Sequence, residues 1–99
     1  MAARRIYVDK TELILLVPTK SKIISHNLIA KDISRIQVAK KESKILGFIK
    51  TTDETITIVS GKLSKPIVYK KSEHKAYFED YKRELEKFAK DNYLNFSEE

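Results

Sequence analysis

Apolar residues in the first seventy positions come in short runs with the spacing of strands. "RRIYV" (residues 4–8) sets Ile6 and Val8 on one face and Tyr7 on the other, and the polar "DKTE" (9–12) follows as a tight connection. "LILLV" (13–17) is apolar on both faces up to Pro18, which predicts a strand covered on both sides or lying at a barrel crossing. "KIISHNLIA" (22–30) predicts a third strand and "ISRIQVA" (33–39) a fourth, with Ile36 and Val38 in phase, while "AKDIS" (30–34) can bend the chain between them. "KKESK" (40–44) reads as a polar turn and "ILGFI" (45–49) as a fifth strand, in which Gly47 marks a bulge or a close backbone approach and Phe48 turns to the core. "TTDET" (51–55) turns into "TITIV" (55–59), where Ile56 and Ile58 share a buried face opposite Thr55 and Thr57. "SGKLSKP" (60–66) is a loop and "IVYK" (67–70) the seventh strand. Spacings of about ten residues and short turns suit antiparallel neighbours.

The period becomes helical after Ser72, the predicted cap of a helix over about 72–93. At about 100° per residue, Phe78, Tyr81, Leu85, Phe88 and Ala89 fall on one arc, flanked by His74 and Tyr77. The opposite side carries charges of both signs, with Glu79–Arg83 and Glu86–Lys90 at the favourable acid-first spacing. Burying each large apolar side chain is worth about 1.5–3 kcal/mol against about 0.2–0.5 kcal/mol for such a pair, so the apolar arc decides the placement and the helix lies on a sheet. The predicted fold is mainly β (α+β by content): a single domain over 1–99, with strands within 4–70 and one C-terminal amphipathic helix.

Charge shifts attention away from that helix. The net charge is +6, but residues 1–71 hold 15 Lys/Arg against 6 Asp/Glu, a balance of +9, and residues 72–99 hold 5 against 8, a balance of −3. The lysines belong to the strands and turns. With no cysteine there is no disulfide and no thiolate chemistry. No apolar run reaches the roughly 20 residues of a membrane-crossing helix, and the opening residues lack the apolar core of a signal peptide, so a cytoplasmic protein is expected.

Seven antiparallel strands followed by one amphipathic helix resemble the pleckstrin-homology-like fold, an open barrel of two near-orthogonal sheets capped by the helix. "LIAKDISRIQVAKK" (28–41) resembles a hydrophobic-x-x-Asp-Ile-x-x-Ile passage of bacterial members, and "IVYKKSEHKAYFEDYKREL" (67–85) resembles their last strand and the Phe-containing start of their helix. The resemblance implies a binding or assembly scaffold of bacterial type without catalytic machinery. Members that bind phosphoinositides carry a basic cluster in the first hairpin loop, whereas "DKTE" sets one lysine between two acids.

Candidate chemistry is correspondingly sparse. Lys20, Lys22, Lys40, Lys41, Lys44, Lys62 and Lys65, with Lys70 and Lys71 beside them, are the candidates for an anion or a partner, against the plainer reading of a solvated surface. His26 and His74 lie on different elements with no ligand spacing, and no nucleophile motif or phosphate-cradling glycine loop is present, so no catalytic residue, metal, cofactor or small-molecule substrate is expected. Tyr7 and Tyr69 read either as interface residues or as cross-strand packing. The expected function is non-enzymatic: binding a protein or peptide, or a second copy, at an open strand edge. The alternative is electrostatic binding of nucleic acid or anionic lipid head groups through the lysines.

Overall fold

Strands whose alternate residues are apolar pair into two sheets in the computed structural model, which describes residues 4–45 and 49–98. β1 (Ile6–Val8), β2 (Glu12–Pro18) and β3 (Ile23–Ile29) form an antiparallel meander. β4 (Ile33–Ile45), β5 (Ile49–Ser60), β6 (Ile67–Lys70) and β7 (Asn95–Glu98) form a second sheet in the order β6-β5-β4-β7. No hydrogen-bonded ladder joins the two among the described residues. One helix, α1 (Phe78–Asp91), lies between β6 and β7 in the chain. The protein is therefore a β-rich α+β fold with two sheets and one helix near its C-terminus.

Inward positions build one core. Ile6, Leu13 and Leu15 from the first sheet meet Ile36, Val38, Ile56 and Ile58 from the second, all fully buried, as the alternation predicts. Leu13 and Leu15 are inside, but Ile14 and Leu16 are only half-buried, so β2 is not covered equally on both faces. The helix packs through Phe78, Tyr81, Leu85, Phe88 and Ala89, the arc its period predicts, and contacts β1, β4 and β7.

Several boundaries differ from expectation. "KKESK" and "TTDET" are strand, because the β4–β5 ladder runs from Arg35↔Val59 to Ile45↔Ile49 and sets Lys40 opposite Glu54 and Lys41 opposite Asp53. Opposite charges and β-branched threonines suit a two-stranded ribbon, so polar character there does not mark a turn. Of the strand expected at 45–49, Ile45 instead ends β4 and Ile49 begins β5, while 46–48, with the expectations for Gly47 and Phe48, lie outside the described residues. The seventh strand instead follows the helix and pairs in parallel with β4, Arg35↔Asn95 through Val38↔Glu98, so the expected all-antiparallel order with the helix last does not hold.

The helix begins at Phe78, six residues later than expected. Ser72 is no cap: its hydroxyl donates to Asp53 Oδ2 at 2.7 Å and its N–H to Oδ1 at 3.1 Å, which ties the 3-10 turn Lys71–Glu73 to β5. The paired charges differ too, since Arg83 takes Asp80 at 2.6 Å and Lys87 takes Asp91 at 2.7 Å. At the other end, Leu94 N–H donates to Ala89 C=O at 2.8 Å and Asn92 N–H to Phe88 C=O at 3.1 Å, while Tyr93 adopts φ 58°. This is a Schellman stop with tyrosine where glycine is usual, and half-buried Leu94 packs on the core beneath it.

Candidate functional site

A trough runs beside β6, and the sequence accounts for both its walls. Among the described residues β6 has a partner on one side only, β5, in the register Ile56↔Tyr69 and Thr57↔Val68. Alternation turns Tyr69 inward, 3% exposed, and its hydroxyl donates to Leu16 C=O at 3.2 Å, which anchors β6 against β2. Val68 is thereby turned out, 50% exposed. Facing it across the trough are Val17, Ile24 and His26 of the β2–β3 hairpin. Leu63 and Pro66 extend the apolar floor through the 61–66 loop, and exposed Lys62 and Lys65 stand on the rim of this cavity of about 620 Å³. Thr19 closes one end, where its hydroxyl donates to Lys22 C=O at 2.7 Å and fixes the hairpin turn.

A second cleft, of about 460 Å³, shares Val17, Ile67 and Val68 and continues the trough to Arg5, Glu73 and His74. His74 is half-buried, its ring 5.3 Å from that of Tyr69 and 6.3 Å from that of Tyr81. Burial holds its pKa below the usual imidazole value. The larger cavity is lined by cationic and apolar groups with no acid, whereas both Arg5 and Glu73 line the smaller.

The candidate lysines do not converge on one site. Lys62 and Lys65 reach the trough, and exposed Lys20 and Lys22 lie at the hairpin turn beside it. Lys40 belongs to a different surface, a cavity it shares with Asp53, Glu54, Lys71 and Lys75. Lys41 and Lys44 are placed by backbone register alone, opposite Asp53 and Lys50. Tyr69 is core, so the interface reading fails for it, while Tyr7 is 44% exposed and stacks near Arg4, whose guanidinium is 5.7 Å from its ring.

The strongest charge cluster is internal. Glu54 on β5 has its side chain only 9% exposed, with Lys82 Nζ of α1 2.7 Å from Oε2 and Lys71 Nζ 3.8 Å from Oε1. Oε2 makes no well-directed hydrogen bond, so it depends on the ion pair. Lys82 also reaches Glu98 of β7 at 3.2 Å, and Glu54, then Glu98, hold its pKa above the ordinary lysine value. Sheet, helix and last strand are joined there. Arg4 performs a similar joining role: it pairs with Glu84 and lies 5.4 Å from the Tyr81 ring. Among the described residues no three His, Asp or Glu side chains group as metal ligands, and no helix is long and apolar enough to cross a membrane.

Sequence reasoning found Lys62 and Lys65 but missed the floor beneath them. Leu63 lies between the two lysines and Pro66 follows the second, and an apolar residue and a proline beside exposed charge are the one sequence signal of a lined recess there. The chain matches no protein-family model, no curated protein and no solved structure.

Proposed function

We propose that the chain is a non-enzymatic binding module that takes an extended protein segment, bearing acidic and apolar side chains, into the trough beside β6. The observation that carries this reading is the pairing of an apolar floor (Val17, Ile24, Leu63, Val68) with a rim of Lys62 and Lys65 and no acid in the larger cavity. Alternate side chains of an extended segment point to opposite sides, so apolar residues meet the floor while acids meet the rim. Among the described residues β6 ends its sheet, and such a segment adds along that edge as a strand, so that main-chain bonds supply affinity while side-chain pockets supply selectivity. Two sheets and an amphipathic helix support a pleckstrin-homology-like relationship, although the parallel strand after the helix departs from that order.

The test is a fluorescence-anisotropy titration with a labelled peptide of about eight residues alternating glutamate and leucine, run beside single-stranded DNA and phosphatidylserine vesicles at low and moderate salt. The peptide is expected to bind, and Lys62→Glu with Lys65→Glu to weaken it by about 3–10-fold, as suits rim charges. No peptide binding, with DNA or vesicles bound on a steep salt slope, would overturn the reading in favour of nonspecific attraction to polyanions.

A further inference from the structure

β3 lacks the devices that ordinarily protect a sheet edge. Among the described residues it pairs with β2 alone, yet its seven residues include no Lys, Arg, Asp or Glu in a chain that is 34% charged. Edges are normally blunted by charge, proline or a bulge, because unpaired main-chain groups are a template for another strand.

The register shows which main-chain groups are offered. Ala30 N–H bonds Thr11 C=O at 2.8 Å, which continues the Glu12↔Ile29 ladder and makes the even-numbered residues of β3 the ones bonded to β2. Ile23, Ser25, Asn27 and Ile29 therefore turn their N–H and C=O groups outward. Their side chains also lie on the exposed face, Ile23 at 55% and Ile29 at 46% exposure.

The order of these residues is symmetrical about His26. Laid antiparallel against a second copy, with His26 opposite His26, Ile23 meets Ile29, Ser25 meets Asn27 and Ile24 meets Leu28. In this register the outward groups of the odd-numbered residues fall into hydrogen-bonded pairs, and His26 faces its mate in a non-hydrogen-bonded pair. The flanking charges match as well. The start of β3 follows Lys20 and Lys22, while around its end Asp9 and Glu12 at the β1–β2 turn and Asp32 of the 3-10 turn that follows β3 outnumber Lys10 and Lys31. Antiparallel pairing brings the positive end of each copy to the negative end of the other, twice.

We propose that a second copy of this chain docks along β3 about a two-fold axis at His26, joining two three-stranded sheets into one six-stranded sheet. Such an interface is isologous and self-limiting, since the paired edges are consumed. The seam is short beside the roughly 1,200–2,000 Å² of a standard interface, so association belongs at about 10–100 µM. It uses the main-chain edge of β3, and although Ile24 and His26 are neighbours at the seam as well as in the trough, the outward-facing Ser25 and Asn27 belong to the seam alone. Either can therefore fail without the other.

Sedimentation velocity on the full chain over about 5–500 µM is expected to show a monomer–dimer equilibrium. Ser25→Lys with Asn27→Lys sets lysine against lysine twice and is expected to weaken association at least about tenfold, as is the double glutamate variant. Mixing the two variants should restore a heterodimer. His26→Cys, in a chain with no cysteine of its own, gives a second readout. Two such residues about 4.5 Å apart at Cα are within disulfide reach, so mild oxidation should cross-link this variant and not Ser25→Cys. A wild-type chain monomeric throughout, a double-lysine variant that associates normally, or a His26→Cys variant that stays uncross-linked would each overturn the proposal.

Discussion

The Tyr81 hydroxyl on the helix accepts the backbone N–H of Arg5 at 2.6 Å, at the point where the β1–β2 ladder begins. Leu16 N–H donates to Arg5 C=O at 2.8 Å, and the return half of that pair is supplied by two core tyrosines, because Leu16 C=O receives the Tyr69 hydroxyl. The helix thus finishes a sheet rather than only covering it.

Removing that one oxygen is informative. Tyr81→Phe keeps the ring in the core and leaves the Arg5 amide without its acceptor, which should cost about 1–3 kcal/mol in urea unfolding. A change within a few tenths of a kcal/mol would mean that water replaces the hydroxyl.

Lys82 is expected to matter more than any surface lysine. Lys82→Met leaves the Glu54 carboxylate buried, with Lys71 as its remaining cation at 3.8 Å, and should destabilise by about 3 kcal/mol. The folded-state pKa of Lys82 is raised, so its contribution is complete below the ordinary lysine value of about 10.4 and is lost as pH rises through the raised one. The stability gap between wild type and Lys82→Met should therefore hold across neutral pH and narrow in strong alkali, as denaturant curves at several pH values will show.

His74 works in the opposite sense. Burial depresses its folded-state pKa, so the unfolded chain binds more protons over the window below about 6.5 and stability falls as pH is lowered through it. Thermal unfolding at pH 5 and 7.5 should show a loss on acidification that His74→Gln reduces.

Tyr93 carries backbone strain without burial, being 97% exposed at φ 58°. Tyr93→Gly should therefore stabilise the fold by about 1 kcal/mol in chemical denaturation. Loss of stability would show that the exposed ring makes a contribution its solvent exposure conceals.

These residues also show what the sequence made legible. The period of Phe78, Tyr81, Leu85 and Phe88 is decisive because burial of large side chains outweighs every competing local preference. Ile56 and Ile58 succeed for the same reason. The polar ribbon Lys40–Lys44 was read as a turn because its strand character rests on cross-strand partners such as Lys40↔Glu54, which no single run reveals. β7 was missed because its four residues hold one half-buried apolar side chain, Phe96, and depend on the free edge of β4. Ser72 offers a capping hydroxyl, though with Lys75 rather than an acid three residues on, and Asp53 claims it from nineteen residues away in sequence. The trough was half legible: charge pointed to Lys62 and Lys65, while its opposite wall, Ile24 and His26, arrives only with folding.

Chemical-shift mapping is the most direct test of the trough as the binding site. The alternating glutamate–leucine peptide, titrated into isotope-labelled protein, should move the amide signals of Ile24, His26, residues 62–65, Ile67 and Val68 first and most. Shifts centred instead on Lys40, Lys71 and Lys75, or spread evenly over every lysine, would contradict the account.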